Sequence, residues 1–357
     1  MKIRRCLPII WTLLVLAIVT IVGLATMTAS GKPAGKTIIL KYADQNAANG
    51  WEAIEAAQPW LEQVEEATQG KVQFQTYFAE SLVRGADSWD ATRQDLADIA
   101  WMFHGYWADQ TPLANVISLP FLPFTSAQQA SGIFWQLYQK YPTLRAEFQD
   151  NHVLMTWAST PYFLVTAEKQ VKTLEDIQGL KIRVPTGPPV DIMQSLGADT
   201  VTIGMPRIYL YLQQGVLDGM ATAWESVISF RQYELVRNYT YIPLFTVYFT
   251  MAINNSVWDS LSPDIQSEIS SVSGLNGSLF WGKNMFDTAA LAGREQIRQE
   301  GRPVYEYTIP ESELVQWTAQ VKPWDDWVSR MTQAGHPEAR EILNTTLELI
   351  QTYHPEE

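Results

Sequence analysis

The sequence predicts an α/β protein of two domains, built on parallel sheets with crossover helices. Three observations carry this. Residues 173–225 show strand, helix, strand, helix, strand spacing in turn, the order of crossover units. At 357 residues the chain can bury a large core and divide into two domains. Its hydrophobic fraction of 46% is that of an ordinary globular protein.

At the N-terminus, Lys2, Arg4 and Arg5 precede an uncharged apolar run over 7–27, followed by the small residues Thr28, Ala29 and Ser30. This reads as a secretory signal. The run approaches the ~20 residues that span a bilayer, so an uncleaved anchor is the alternative, with the basic flank cytoplasmic in both cases. Residues 1–30 are therefore a signal peptide or N-terminal anchor, and 31–36 a linker. The sole cysteine, Cys6, precedes the apolar run. Disulfides, thiolate catalysis and cysteine metal sites are excluded beyond it.

Ile38, Leu40 and Tyr42 alternate as a first strand, with Asp44, Gln45 and Asn46 at its carboxyl end. Helical spacing over 51–68 ends at Gly70, and a second strand begins at Val72. A helix over 88–96 and a strand over 99–103 follow. His104 comes next, either a packed side chain or a ligand contact. A helix over 126–141 precedes strands at 153–157 and 162–167, where the chain crosses between domains. Trp157 and Tyr162 are candidates for core or site alike.

In the central block, Leu180, Ile182 and Val184 alternate with Lys181 and Arg183 before a Pro/Gly turn. Pro188-Pro189 open a helix striped by Val190, Met193 and Leu196. Residues 200–203 form a short strand, Pro206 opens a second helix, and 216–223 is a third apolar segment. Arg183 ends its strand, where open α/β sheets bind ligands. Its guanidinium can take a carboxylate through two parallel hydrogen bonds. A strand-rich return covers 239–254, helices 263–271 and 279–299, a strand 304–307, and helices the rest to residue 353. The lobes are expected as 37–158 plus 249–280, and 159–248 plus 281–357, the second taking the C-terminal helices.

The net charge of −13 argues against nucleic acid as a partner. The chain has no phosphate-binding loop, no nucleophile elbow and no zinc helix. Its four histidines lie far apart. No catalytic residue and no metal site is expected.

Three blocks carry a resemblance: Asp176-Ile177-Gln178-Gly179-Leu180-Lys181-Ile182-Arg183-Val184-Pro185, Leu196-Gly197-Ala198, and Tyr209-Leu210-Tyr211-Leu212-Gln213-Gln214-Gly215-Val216-Leu217-Asp218-Gly219. Their order and sequence resemble the solute-binding subunits of TRAP transporters, the DctP-type extracytoplasmic receptors. Leu119-Pro120-Phe121-Leu122 and the segment from Asn254 to Leu261 extend the likeness over most of the chain after about residue 37. The resemblance implies a two-lobed periplasmic-binding-protein-like fold, with a ligand cleft between the lobes and a long helix, 279–299, spanning both. It implies a periplasmic protein that captures a small organic acid and delivers it to integral membrane permease subunits driven by an ion gradient.

Arg183 matches the family arginine that binds the ligand carboxylate. Met205 stands where many relatives carry an aromatic residue beside the ligand. Thr222 takes the place of a ligand contact, Trp224 is placed to stack on the ligand, and Glu225 resembles the acid that lies near a cation in keto-acid-binding relatives. Relatives that bind sugar acids carry a second arginine near Tyr162 or Phe163, and this chain has none. Trp157 and Tyr162 would then wall a smaller or more apolar acid. No cofactor is expected, with a cation beside Glu225 left open, and the protein is a monomer or a homodimer. Two alternatives remain: a sensor that presents ligand to a membrane receptor, and a secreted enzyme on the same scaffold.

Overall fold

The computed structural model describes residues 37–321 and 324–355; the expected signal or anchor and the linker lie outside them. In chain order the strands are β1 (Ile38–Ala43), β2 (Val72–Tyr77), β3 (Ile99–Phe103), β4 (His152–Ala158), β5 (Phe163–Thr166) and β6 (Lys181–Arg183). They continue with β7 (Asp199–Val201), β8 (Gly219–Thr222), β9 (Asn238–Tyr241), β10 (Tyr248–Ile253) and β11 (Tyr305–Thr308). One sheet has the order β2-β1-β3-β10-β4, the other β11-β9-β5-β8-β6-β7. In the first, β1 is parallel to β2 and β3, and β10 is antiparallel to β3 and β4. In the second, β6 is parallel to β7 and β8, while β5 is antiparallel to β8 and β9. Strands β3 and β10 are buried along their whole length, which is why they read as apolar runs with little alternation.

The central block forms as its punctuation predicts. The Thr173 side chain and Asp176 build a capping box ahead of β6. Gly187 then takes the left-handed φ of 83° that a side chain resists, and the helix Pro188–Ser195 starts with proline in its first turn.

The chain passes between sheets after β4 and returns before β10, and the two crossings run side by side. Ser159 N–H donates to the Val247 carbonyl at 2.9 Å, and Tyr162 N–H to that of Phe245 at 2.7 Å. Leu244 N–H returns a bond to the Tyr162 carbonyl at 3.0 Å, and Val247 N–H one to Ser159 Oγ at 3.1 Å. A helical run makes a third connection. Gly274–Trp281 packs on the helix Ala127–Lys140 and on β4, and Ala289–Gln299 packs on the helix Trp224–Ser229. The spanning helix therefore starts earlier than residue 279, and Gly282–Asp287 between its halves is π-helical. A Cβ at Gly282 would lie 2.4 Å from Ser131 Oγ and 2.8 Å from the Ala127 carbonyl oxygen, so only glycine lets the helices touch there. Asp287 follows and accepts N–H bonds from Ala127 (2.7 Å) and Gln128 (2.9 Å), satisfying the first turn of the helix it crosses.

The C-terminal helices depart from the expected grouping with the second lobe. Trp327, Val328, Ile342, Leu343 and Ile350 share a core with Ile133, Phe134 and Leu137 on the first-sheet side. Gln129 Nε2 fastens the last helix by donating to the Ile350 carbonyl at 3.1 Å. The apolar stripe of helix Ala339–Thr352 finds its complement on helix Ala127–Lys140, and sequence order gives no hint of that return. Among the described residues no helix is long and apolar enough to cross a membrane.

Candidate functional site

Strand ends from both sheets converge on one region. β1 leads into Asp44, Gln45 and Asn46, β3 into His104, Gly105 and Tyr106, β6 ends at Arg183, and β8 leads to Glu225. Between them lies a small cavity, with about 10 Å³ of room for the centre of a water molecule. Trp101, Phe103, Phe230 and Phe249 form an aromatic wall, with Met205 and Met285 beside it. Gln45, Asn46, Tyr162, Glu225 and Ser226 bring polar atoms to it. Phe249 holds the wall together, stacked on Phe103 at 5.1 Å and packed against Trp101 at 5.1 Å.

The lobes touch at the rim. The Tyr106 hydroxyl donates to Gln45 Oε1 at 2.8 Å and accepts from Met205 N–H at 3.1 Å. Thr186 donates its N–H and its hydroxyl to the Gly105 carbonyl, at 2.9 and 2.8 Å. A Cβ on Gly187 would lie 2.5 Å from the Ala108 Cβ, so glycine also sets how closely the lobes approach.

Arg183 is fully buried. Its Nε donates to the Ile203 carbonyl at 3.1 Å, which fixes the plane of the fork. Nη1 and Nη2 have no hydrogen-bond partner in the described chain. Burial lowers its pKa, while the hydroxyls of Tyr106 and Tyr162 beside it raise it. A guanidinium stays protonated in proteins, and a buried cation is costly unless an anion meets it.

Three acids gather beside one another, with Glu225 also close to Tyr162. Asp44, Glu52 and Glu225 are each at most 2% exposed. Asp44 is satisfied: Oδ1 accepts the backbone and side-chain N–H groups of Asn46 at 2.8 and 2.9 Å, and Oδ2 accepts the Tyr42 hydroxyl at 2.5 Å. Burial pushes its pKa up to about 6 against those bonds. Burial, then the neighbouring Asp44 and Glu225, push Glu52 well above the usual carboxylate range. Burial pushes Glu225 to about 7. Its Oε2 accepts from Ser226 Oγ at 2.8 Å, while Oε1 accepts nothing. Among the described residues, no group of three or more His, Cys, Asp or Glu is arranged to hold a metal ion.

The residues singled out in the sequence divide. Tyr162, Met205 and Glu225 line the cavity, and Arg183 lies near Tyr162. Trp157 stands behind the wall, stacked on Phe249 at 5.5 Å and against Trp281 at 4.4 Å. Thr222 is buried at the end of β8, its hydroxyl turned to the Ala223 carbonyl at 3.4 Å. Trp224 does not face the cavity as expected. Its indole stacks on Tyr239 at 4.9 Å with Arg294 5.3 Å above the ring, because the helix it opens turns it toward helix Ala289–Gln299. His104 is a core residue: Nε2 is 2.9 Å from Thr250 Oγ1, the ring stacks on Tyr248, and burial lowers its pKa to about 3. Sequence reasoning missed Trp101 and Phe103, whose spacing of two on β3 puts both on one face, and Phe249 on the returning strand. It also missed Glu52, which no local pattern marks. A larger groove between helices Pro188–Ser195 and Trp324–Gln333 is open at the surface and holds none of these buried polar groups.

The family model described as bacterial extracellular solute-binding protein, family 7 (DctP), matches residues 44–328. The outer membrane transporter protein TsaT of Comamonas testosteroni is 27% identical over 221 residues, 60% of this chain. The match spans 64% of that curated relative, less than two thirds of its length. A TRAP solute-binding protein from Rhodoferax ferrireducens T118, solved with copurified benzoate, is 30% identical with a TM-score of 0.83, covering 88% of this chain and 98% of that one. A TRAP periplasmic solute-binding protein from Bordetella bronchiseptica, solved with (R)- and (S)-mandelate, is 25% identical with a TM-score of 0.81, covering 88% and 99%. With its two lobes, interlobe cavity and spanning helix, this chain belongs to the DctP family of TRAP solute-binding proteins.

Proposed function

We propose that this protein is the extracytoplasmic receptor of a TRAP transporter, and that it captures a small aromatic monocarboxylate and hands it to a membrane permease driven by an ion gradient. The observation that carries this reading is the Arg183 fork, buried and unpaired at both terminal nitrogens beside an aromatic-walled cavity. The cavity's lining is dominated by aromatic side chains, which suits a ring-bearing ligand. Benzoate and mandelate, held by the Rhodoferax and Bordetella relatives, are acids of this class. The family is one of binding proteins, and the role proposed is capture without turnover. The basic and apolar N-terminal segment supports export to the periplasm.

Capture starts with the ligand carboxylate meeting Arg183 on the second lobe. The first lobe then brings Trp101, Phe103 and Phe249 over the ring and excludes water. Closure persists because the ligand interacts more strongly with the closed form than with the open one. Gly187 lies on the seam that must close. Gly187→Ala is expected to weaken binding by about 1–3 kcal/mol, the usual cost of overpacking, or roughly 5- to 150-fold. Unchanged affinity in titration calorimetry would show that this seam does not close with ligand.

The reading is tested by a thermal-shift screen of the exported part of the chain against aromatic acids, aliphatic acids, sugar acids and neutral sugars. A ligand at a hundredfold excess over its Kd stabilises the native state by about 2.7 kcal/mol. Shifts with benzoate-like acids support the proposal. Shifts confined to sugar acids or neutral ligands overturn it.

A further inference from the structure

Resting on the carboxylate reading above, we infer that Glu225 is a specificity-determining residue whose free oxygen receives a hydrogen-bond donor of the ligand, so that the acid captured carries a hydroxyl group as well as its carboxylate. Glu225 lines the cavity and is 2% exposed. Ser226 occupies Oε2, and Oε1 has no partner in the described chain. A buried carboxyl oxygen without a donor is costly, and the cost is relieved when a ligand supplies one.

Among the neighbours, the Ser229 hydroxyl is near enough to lower the Glu225 pKa but makes no hydrogen bond to Oε1. Asp44 is committed to Asn46 and Tyr42. Glu52, the third acid, has its pKa raised by burial and by the other two acids, yet neither of its oxygens makes a hydrogen bond to Glu225 Oε1. Arg183 makes no ion pair with Glu225 among the described residues; its one hydrogen bond goes to Ile203. Instead the Tyr162 hydroxyl feels both groups, with Arg183 favouring its ionisation and Glu225 opposing it. The same cleft thus holds an unpaired cation and an unpaired acceptor, both close to one phenol. An aromatic acid with a hydroxyl substituent answers both, its carboxylate on Arg183 and its hydroxyl on Glu225. A ligand with the carboxylate alone leaves Glu225 Oε1 unsatisfied.

Titration calorimetry on the mature chain would compare benzoate, its three hydroxy isomers and the matching methoxy compounds, which accept but cannot donate. At least one hydroxy isomer is expected to bind about tenfold or more tighter than both benzoate and its methoxy partner. In Glu225→Leu that ratio should fall to about one, whatever the absolute affinities, and in Glu225→Gln the amide oxygen should restore part of it. Should the leucine variant not fold, the glutamine variant and the hydroxy-to-methoxy ratio in the wild type still decide the matter. A wild-type ratio near one, or a ratio that survives in Glu225→Leu, overturns the inference while leaving the aromatic-acid reading intact if benzoate binds. A preference that appears only with added sodium or calcium also overturns it, since a cation would then occupy the acid. If no aromatic acid binds the wild type, the underlying reading fails, and this inference with it.

Discussion

Arg183→Ala is expected to abolish tight ligand binding without unfolding the protein. Removing one partner of a buried, hydrogen-bonded charge pair costs about 2–5 kcal/mol, roughly 30- to 4,000-fold in Kd. Part of that cost comes from the ligand carboxylate, which would sit in an aromatic cavity with no countercharge. The fold should survive because the head group makes one hydrogen bond to the chain, to the Ile203 carbonyl, and no ion pair rests on it among the described residues. Arg183→Lys keeps the charge and loses the fork, so it should still lose about tenfold or more. Titration calorimetry reads the affinity and circular dichroism the melting temperature of the ligand-free variants. Wild-type affinity in Arg183→Ala would remove this residue from the site.

Affinity should also rise as pH falls from about 8 to about 6. Asp44 and Glu52 belong to the first lobe and Glu225 to the second, so closure buries the three together. Acids whose pKa is raised bind their protons more tightly in the closed state than in water. The stabilisation is complete at low pH and is lost as pH climbs through about 6 for Asp44 and about 7 for Glu225. Glu52 is raised in the same direction. The other groups facing the cluster do not titrate in this window. Burial holds Tyr42, Tyr106 and Tyr162 above their ordinary value, and Arg183 remains charged. Each proton taken up on binding adds up to about 1.4 kcal/mol per pH unit, or tenfold in affinity. Calorimetry in buffers of different ionisation enthalpy counts those protons directly. No net uptake, with a flat affinity profile, would mean that the acids hold their protons equally in the open and closed forms.

Much of this architecture was readable because Pro and Gly mark its joints. Residues 173–225 declare their strands and helices through Pro185, Gly187, Pro188, Gly197 and Gly215, each at a turn or helix end. Arg183 was singled out by its place at a strand end, and the structure puts it at the end of β6. Trp224 was misplaced because proximity to the Asp218-Gly219 turn says nothing about which face of the next helix meets the cavity; Glu225, one residue on, faces it instead. The acid cluster was invisible for another reason. Asp44 and Glu52 follow the first strand and Glu225 follows the eighth, and only sheet topology brings them together. The return of the C-terminal helices to the first lobe is likewise a matter of complementary apolar faces, which local periodicity does not record.

The laced crossings have a mechanical meaning. Two lobes on a single tether could swivel and slide, and a ligand would have to find the one facing orientation among many. Here two crossings hydrogen-bonded side by side and a helical strut join the lobes at three places, which restricts swivelling and sliding. The freedom that capture would otherwise have to remove was given up when the chain folded, so little orientational entropy opposes closure. In the capture proposed here, the ligand would decide when the lobes shut, and the three connections would decide where.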